Sequence, residues 1–186
     1  MSKKIKFVQG QMVEYEILSL VDFYDPILRQ PTQELNFENP QVDIAYLAMS
    51  MMESLSTMNG LGLSANQVGK PYRIMAVNMG DKIWCLINPI VLSKSSTNSK
   101  FKEGCLSYPG LYLDIGRPDA VTVEFQAVGG EKLVQEFNGL TATVIQHELD
   151  HLDGIMFTEI VSPIKLDKAK RKIKTNLKKM GRARYA

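Results

Sequence analysis

His147-Glu148-Leu149-Asp150-His151 has the form H-E-x-x-H and lies in a run, residues 141–152, that predicts a helix ending at Asp153-Gly154. Helix positions four apart share a face one turn apart, so both imidazoles can reach one metal ion. Glu148, beside the first imidazole, is placed to act as general base toward a metal-bound water. The chain has only two histidines, and both fall in these five residues. The bland alternative is an exposed helix whose charges match the motif by chance.

A catalytic metal needs a third protein ligand and an open position. One group of zinc proteases continues the motif as H-x-x-G-x-x-H; here Gly154 fits, but Phe157 stands at the last position and cannot ligate. Another group takes a glutamate from a later helix, and the one downstream glutamate, Glu159, lies too close. The third ligand is therefore expected upstream, where cysteine thiolate is a strong candidate. Of the two cysteines, Cys85 lies in the apolar run Ile83-Trp84-Cys85-Leu86-Ile87 and reads as a buried, inert thiol. Cys105 lies in Glu103-Gly104-Cys105-Leu106-Ser107, where Gly104 gives the backbone close access to a site.

Working outward, residues 40–58 carry apolar side chains at Ile44, Leu47, Ala48, Met51, Met52 and Leu55, one face of a helix. Asn39-Pro40 is its expected start and Asn59-Gly60 its end. The methionine-rich face reads as core. Strands are expected at residues 72–77, 83–87, 120–126 and 131–137, with Gly129-Gly130 turning the last pair. Residues 1–38 read as an irregular entry segment and the serine-rich residues 93–100 as a surface loop. Ser162-Pro163 opens a last helix running to about residue 180. The expected class is α+β: short, mainly antiparallel sheets around a central H-E-x-x-H helix, with an N-terminal helix and a basic C-terminal helix. We read residues 1–162 as the catalytic domain and 163–186 as a basic tail of that domain.

The 186 residues suit one domain with a sizeable core. Two cysteines are too few for a disulfide framework. No apolar run approaches a membrane span, and no apolar signal core follows Met1-Ser2-Lys3-Lys4. Glu14 and Glu16 argue against an organellar transit peptide. A cytoplasmic location is expected. The net charge of +2 hides an asymmetry, because residues 163–186 hold ten Lys and Arg against one acid, Asp167. Such a tail usually meets a polyanion or is simply a solvated face.

Three segments together carry a family resemblance: Gly60-Leu61-Gly62-Leu63-Ser64-Ala65-Asn66-Gln67, Glu103-Gly104-Cys105-Leu106-Ser107, and Gln146 with the H-E-x-x-H run. They resemble the three signature motifs of peptide deformylases, in family order and at family-like separations, across roughly residues 20–165. The resemblance implies removal of the N-formyl group from the starting methionine of new proteins. It assigns Cys105, His147 and His151 as metal ligands, Glu148 as base, and Gln67 with the backbone N–H of Leu106 as oxyanion donors. It implies iron(II) as the natural ion, with zinc, nickel or cobalt possible after purification. A substrate strand would lie along Gly60, Leu61 and Gly62, beside Gly104, with the methionine side chain near Leu61, Leu140, Val144 and Tyr108.

Two positions depart from the family pattern. Ser64 stands where alanine is commonest, and Tyr112 stands where many bacterial members carry a peptide-contacting arginine, which leaves downstream preference open. Arg117 matches a family arginine and is expected to pair with Glu103. The rival readings are a zinc endopeptidase, an inactive binding module, and a structural zinc site; no ligand or base is missing for activity, and no fourth protein ligand is in evidence for a structural site. The expected partners are formylmethionyl nascent peptides and, by resemblance, the ribosome through the basic helix, with no membrane and no DNA. The stripe Leu166, Ala169, Ile173, Leu177 and Met180 would either pack on the body or stay partly free.

Overall fold

The computed structural model describes residues 3–8 and 11–179. Its elements in chain order are β1 (Lys4–Val8), β2 (Gln11–Tyr15), α1 (Ile44–Met58), β3 (Gly62–Ser64), β4 (Ile74–Asn78), β5 (Ile83–Lys94), β6 (Asn98–Cys105), β7 (Tyr108–Pro118), β8 (Ala120–Gln126), β9 (Lys132–Asn138), α2 (Gly139–Leu152) and α3 (Pro163–Lys179). The expected α+β class holds, with every strand pair antiparallel.

The central sheet has the order β3-β4-β5-β8-β9 and lies between α1 and α2. Strand side chains alternate between the two faces. Ile74, Ala76, Cys85 and Ile87 therefore pack against Leu47, Met51 and Leu55 of α1. Met75, Val77 and Leu86 point the other way, with Val121, Val123 and Phe125, onto Ala142, Ile145, Leu149 and Leu152 of α2. Burial on both faces is why β4 reads as a continuous apolar run. Each fully buried Leu or Met in these layers contributes about 1.5–3 kcal/mol.

α1 begins four residues later than expected. The Asn36 side chain accepts hydrogen bonds from the Glu38 and Asn39 N–H groups (2.8 and 3.2 Å), so local turn bonding competes with helix at the Asn39-Pro40 step. Asp43 caps instead, accepting from the Tyr46 N–H at 2.9 Å. The expected C-terminal stop is found, with Asn59 in the left-handed conformation at φ 51°. From the buried face of α1, the Ser50 and Ser54 hydroxyls accept from Glu16 and Leu18 N–H groups at 3.0 and 2.8 Å and so tie down the entry segment.

Three expectations need correction. Residues 1–38 are not wholly irregular, because β1 and β2 form a hairpin beside α1. The stretch 93–100 is not simply a loop: Ser93 and Lys94 end β5, paired with Thr122 and Val121, and Asn98 opens β6. Exposed strand ends need no apolar side chains, so a polar composition did not exclude them. β7 was missed altogether; it pairs with β6 in a separate two-stranded sheet and turns Leu111, Leu113 and Ile115 inward onto Phe157 and onto Leu166, Ala169 and Ile173 of α3. The basic helix thus packs its apolar stripe on the body through these residues. The Leu177 side chain and Met180 fall outside the described residues.

Gly154 closes α2 at φ +77°, and a β-carbon there would meet backbone atoms of Arg29 and Gln30 at 2.9–3.0 Å. Backbone cannot yield as a side-chain tip can. Gly154→Ala is expected to cost roughly 1–3 kcal/mol, read as a lower urea midpoint with an unchanged slope.

Candidate metal centre

α2 carries both histidines on its buried face, with ring centroids 5.0 Å apart. Cys105 comes from the end of β6, where the β6–β7 register shifts between Gly104 and Cys105. Such an irregularity re-aims a side chain, and here the sulfur lies 3.2 Å from His151 Nε2. Ligand atoms of Cys105, His147 and His151 all lie within 4.8 Å of one another. One thiolate and two imidazoles are a donor set for a transition-metal ion, and three protein ligands leave a position open for chemistry. Cys85 takes no part: it is buried in the core beneath α1, and burial pushes its thiol up to about 12.

Behind the ligands stands a chain of buried charges. His147 Nδ1 lies 2.9 Å from Glu103 Oε2, which leaves Nε2 to face the cluster. Arg117 Nε and Nη2 donate to both oxygens of Glu103 at 2.6 and 3.0 Å, the pairing expected from sequence. Its Nη1 donates to Asp150 Oδ2 at 2.7 Å, so the guanidinium also grips the helix between the two histidines. Burial works to raise the Glu103 carboxyl, yet hydrogen bonds from His147 and Arg117 hold it below the ordinary value. Burial likewise disfavours a charged His147, but hydrogen bonds to Cys105 and Glu103 raise it to about 10. His151 sits well below its usual value because of burial first and then the neighbouring His147 and Arg117 charges. A bound cation would replace the His147 proton, so metal uptake would release protons.

Glu148 is almost fully buried, and burial pushes its carboxyl up to about 7. Its Oε2 has no hydrogen-bond partner among the described residues. A β-carbon on Gly62 of the strand opposite would overlap the Glu148 carboxylate, so a larger residue there would displace that side chain. Gln67 lies on a short 3-10 helix, Ala65–Val68. Its Oε1 accepts from the Ser64 N–H and hydroxyl, while its Nε2 donates to Ser107 Oγ at 3.0 Å and lies 3.5 Å from Cys105 Sγ. Asn66 Nδ2 donates to the backbone oxygen of His151, bonding the Gln67 segment to α2.

A cleft of about 420 Å³ opens onto His147 and Glu148. Gly60, Leu61, Gly62, Gly104, Leu106, Leu140 and Val144 line it. Tyr108 does not; its ring packs edge-on against Phe23, centroids 4.6 Å apart, beside the apolar cluster beneath α3. Sequence reading missed Phe101, Leu111 and Thr143 as lining residues, and Asp150, Ser64 and Ser107 as partners. Asp150 and Ser107 lay inside quoted motifs, but only contact in space reveals their roles.

Residues 17–167 match the family model described as polypeptide deformylase. The chain is 38% identical over 156 residues to a peptide deformylase of Rhizobium meliloti, covering 81% of this chain and 88% of that one. It is 37% identical over 169 residues to one from Bartonella tribocorum, covering 86% and 93%. Among solved structures, the Thermotoga maritima peptide deformylase superposes with a TM-score of 0.75 at 30% identity, covering 80% of this chain and 99% of that one. The Synechococcus elongatus peptide deformylase in complex with actinonin gives 0.75 at 31% identity, covering 84% and 86%.

Glu103→Gln removes the negative charge behind His147 while keeping the shape. It is expected to weaken metal affinity about 10- to 100-fold, measured by competition with a chromophoric chelator.

Proposed function

The chain belongs to the polypeptide deformylase family and is a metallo-hydrolase that removes the N-formyl group from formylmethionine of new proteins; we propose that Cys105, His147 and His151 hold its ion and that Glu148 moves the proton. The observation that carries this reading is the meeting of three ligand atoms beside a buried carboxylate, with Cys105, His147 and Glu148 lining one open cleft.

When bound, the ion supplies a nucleophile from water near neutral pH and polarises the formyl carbonyl. Glu148 takes the proton of the attacking water and delivers it to the departing amine, a task suited to its raised pKa. Gln67 Nε2 and the Leu106 backbone N–H donate to the oxyanion that develops. Support for Gln67 comes from its orientation, with the N–H₂ end toward Cys105. The substrate backbone adds to the outer edge of β3, which among the described residues pairs only with β4. Leu61, Leu140 and Val144 receive the methionine side chain, with Gly60, Gly62 and Gly104 leaving room for the main chain. The native ion is iron(II), with zinc, nickel or cobalt able to replace it, since a Cys and two His accept all four.

Residues 163–186 form a basic tail of the catalytic domain and dock the enzyme on ribosomal RNA. The support is the fixed inner face of α3 and the exposed Lys168, Lys172 and Lys174 away from it. The compartment is the cytoplasm, where formylated chains emerge. Among the described residues no helix is long and apolar enough to cross a membrane.

Anaerobically purified Glu148→Ala is expected to keep one ion per chain and lose nearly all formate release from a formyl-methionyl peptide. Wild-type turnover would overturn the assigned base. Deleting residues 163–186 is expected to abolish low-salt co-sedimentation with ribosomes. Co-sedimentation equal to the full chain's would remove the tail from that role.

A further inference from the structure

The amide of Gln67 must present its N–H₂ end to the reacting carbonyl, and nothing covalent enforces this. The terminal torsion of a glutamine side chain is broad, so surrounding hydrogen bonds decide which way the amide faces. At Oε1 those bonds both come from one residue: the Ser64 N–H at 2.9 Å and the Ser64 hydroxyl at 3.0 Å. At the other end, one N–H of Nε2 is engaged by Ser107 Oγ at 3.0 Å, and the same nitrogen lies 3.5 Å from Cys105 Sγ. Ser64, Gln67 and Ser107 are all buried, so water does not substitute freely for any of these partners. A backbone N–H at residue 64 exists whatever the side chain; the hydroxyl is what this chain adds.

We propose that Ser64 is a positioning residue: its hydroxyl pins the Gln67 amide so that one N–H stays aimed at the ligand cluster, where the formyl oxyanion develops. The idea rests on the assignment of Gln67 as oxyanion donor. Ser64 touches neither the substrate nor the ion in this scheme. Ser64 also borders the Glu148 carboxylate, so the part of its contribution that runs through Gln67 is the part that vanishes when the amide is absent.

The test is a double-mutant cycle on metal-loaded protein, with formate release from a formyl-methionyl peptide, metal content and thermal midpoint measured for each form. Ser64→Ala removes a single oxygen and is expected to lower kcat about three- to tenfold, the worth of one hydrogen bond, with KM within about twofold and metal content unchanged. Ser64→Cys keeps similar bulk with a weaker donor and is expected to fall between serine and alanine. Adding Ser64→Ala to Gln67→Ala is expected to cost clearly less in kcat than Ser64→Ala costs alone, any remainder being the loss of its contact with Glu148. Losses that multiply in the double variant, a change in KM alone, or unchanged kcat in both Ser64 variants would overturn the proposal. A Gln67→Ala protein with wild-type kcat would instead overturn the donor assignment beneath it, so the two failures are distinguishable.

Discussion

Arg117 holds the metal centre together. It continues the inward row of β7 after Leu111, Leu113 and Ile115, at a position where an apolar residue would ordinarily stand. One face of its guanidinium grips Glu103 on β6 and the remaining nitrogen grips Asp150 on α2. The hairpin that carries Cys105 and the helix that carries the histidines are thereby fixed to each other by one buried cation. Breaking such a pair by removing one partner commonly costs about 3–5 kcal/mol, because the remaining charges stay buried without compensation. The ligand geometry therefore rests on a charge balance as much as on apolar packing. The same cation keeps Glu103 ionised, and Glu103 in turn fixes the ring of His147.

The layers around the sheet serve the same end. α1 and α2 cover opposite faces of β4 and β5, so the α2 backbone is anchored through Ile145, Leu149 and Leu152 on the side away from the cleft. β3 lies at the margin of this sheet, within reach of Glu148. The active groups are thus supplied by a rigid helix, a hairpin end and an edge strand, with the Asn66 and Ser64 bonds stitching the edge to the helix and to Gln67.

The clustering of the two histidines on one helix was legible because the H-E-x-x-H spacing belongs to a single element, and one helix face can be read from the chain. The Arg117–Glu103 pair was accessible only through family resemblance. Asp150 and Ser107 had no such signal, because each is defined by a neighbour distant in sequence, whereas Ser64 and Gln67 stand at the S-x-x-Q spacing of a capping box that could have been read. β7 was obscured by Pro109, Gly110 and Gly116, which read as breakers although Leu111, Leu113 and Ile115 keep the strand alternation. Tyr108 illustrates the opposite error. Family resemblance set Tyr108 near the cleft, while the turn into β7 sends its ring toward Phe23.

The free margin of β3 has another side. An unpaired strand edge is the geometry by which proteins template one another into fibres, since it accepts any backbone that presents complementary amides. Indifference to side chains is what an enzyme meeting nearly every new chain requires. The strand is only three residues long, Gly62–Ser64, all buried. On the binding mode proposed above, so short an edge registers one peptide terminus but offers too few consecutive amides to nucleate a second sheet. The catalyst thus keeps a self-association hazard small enough to be useful.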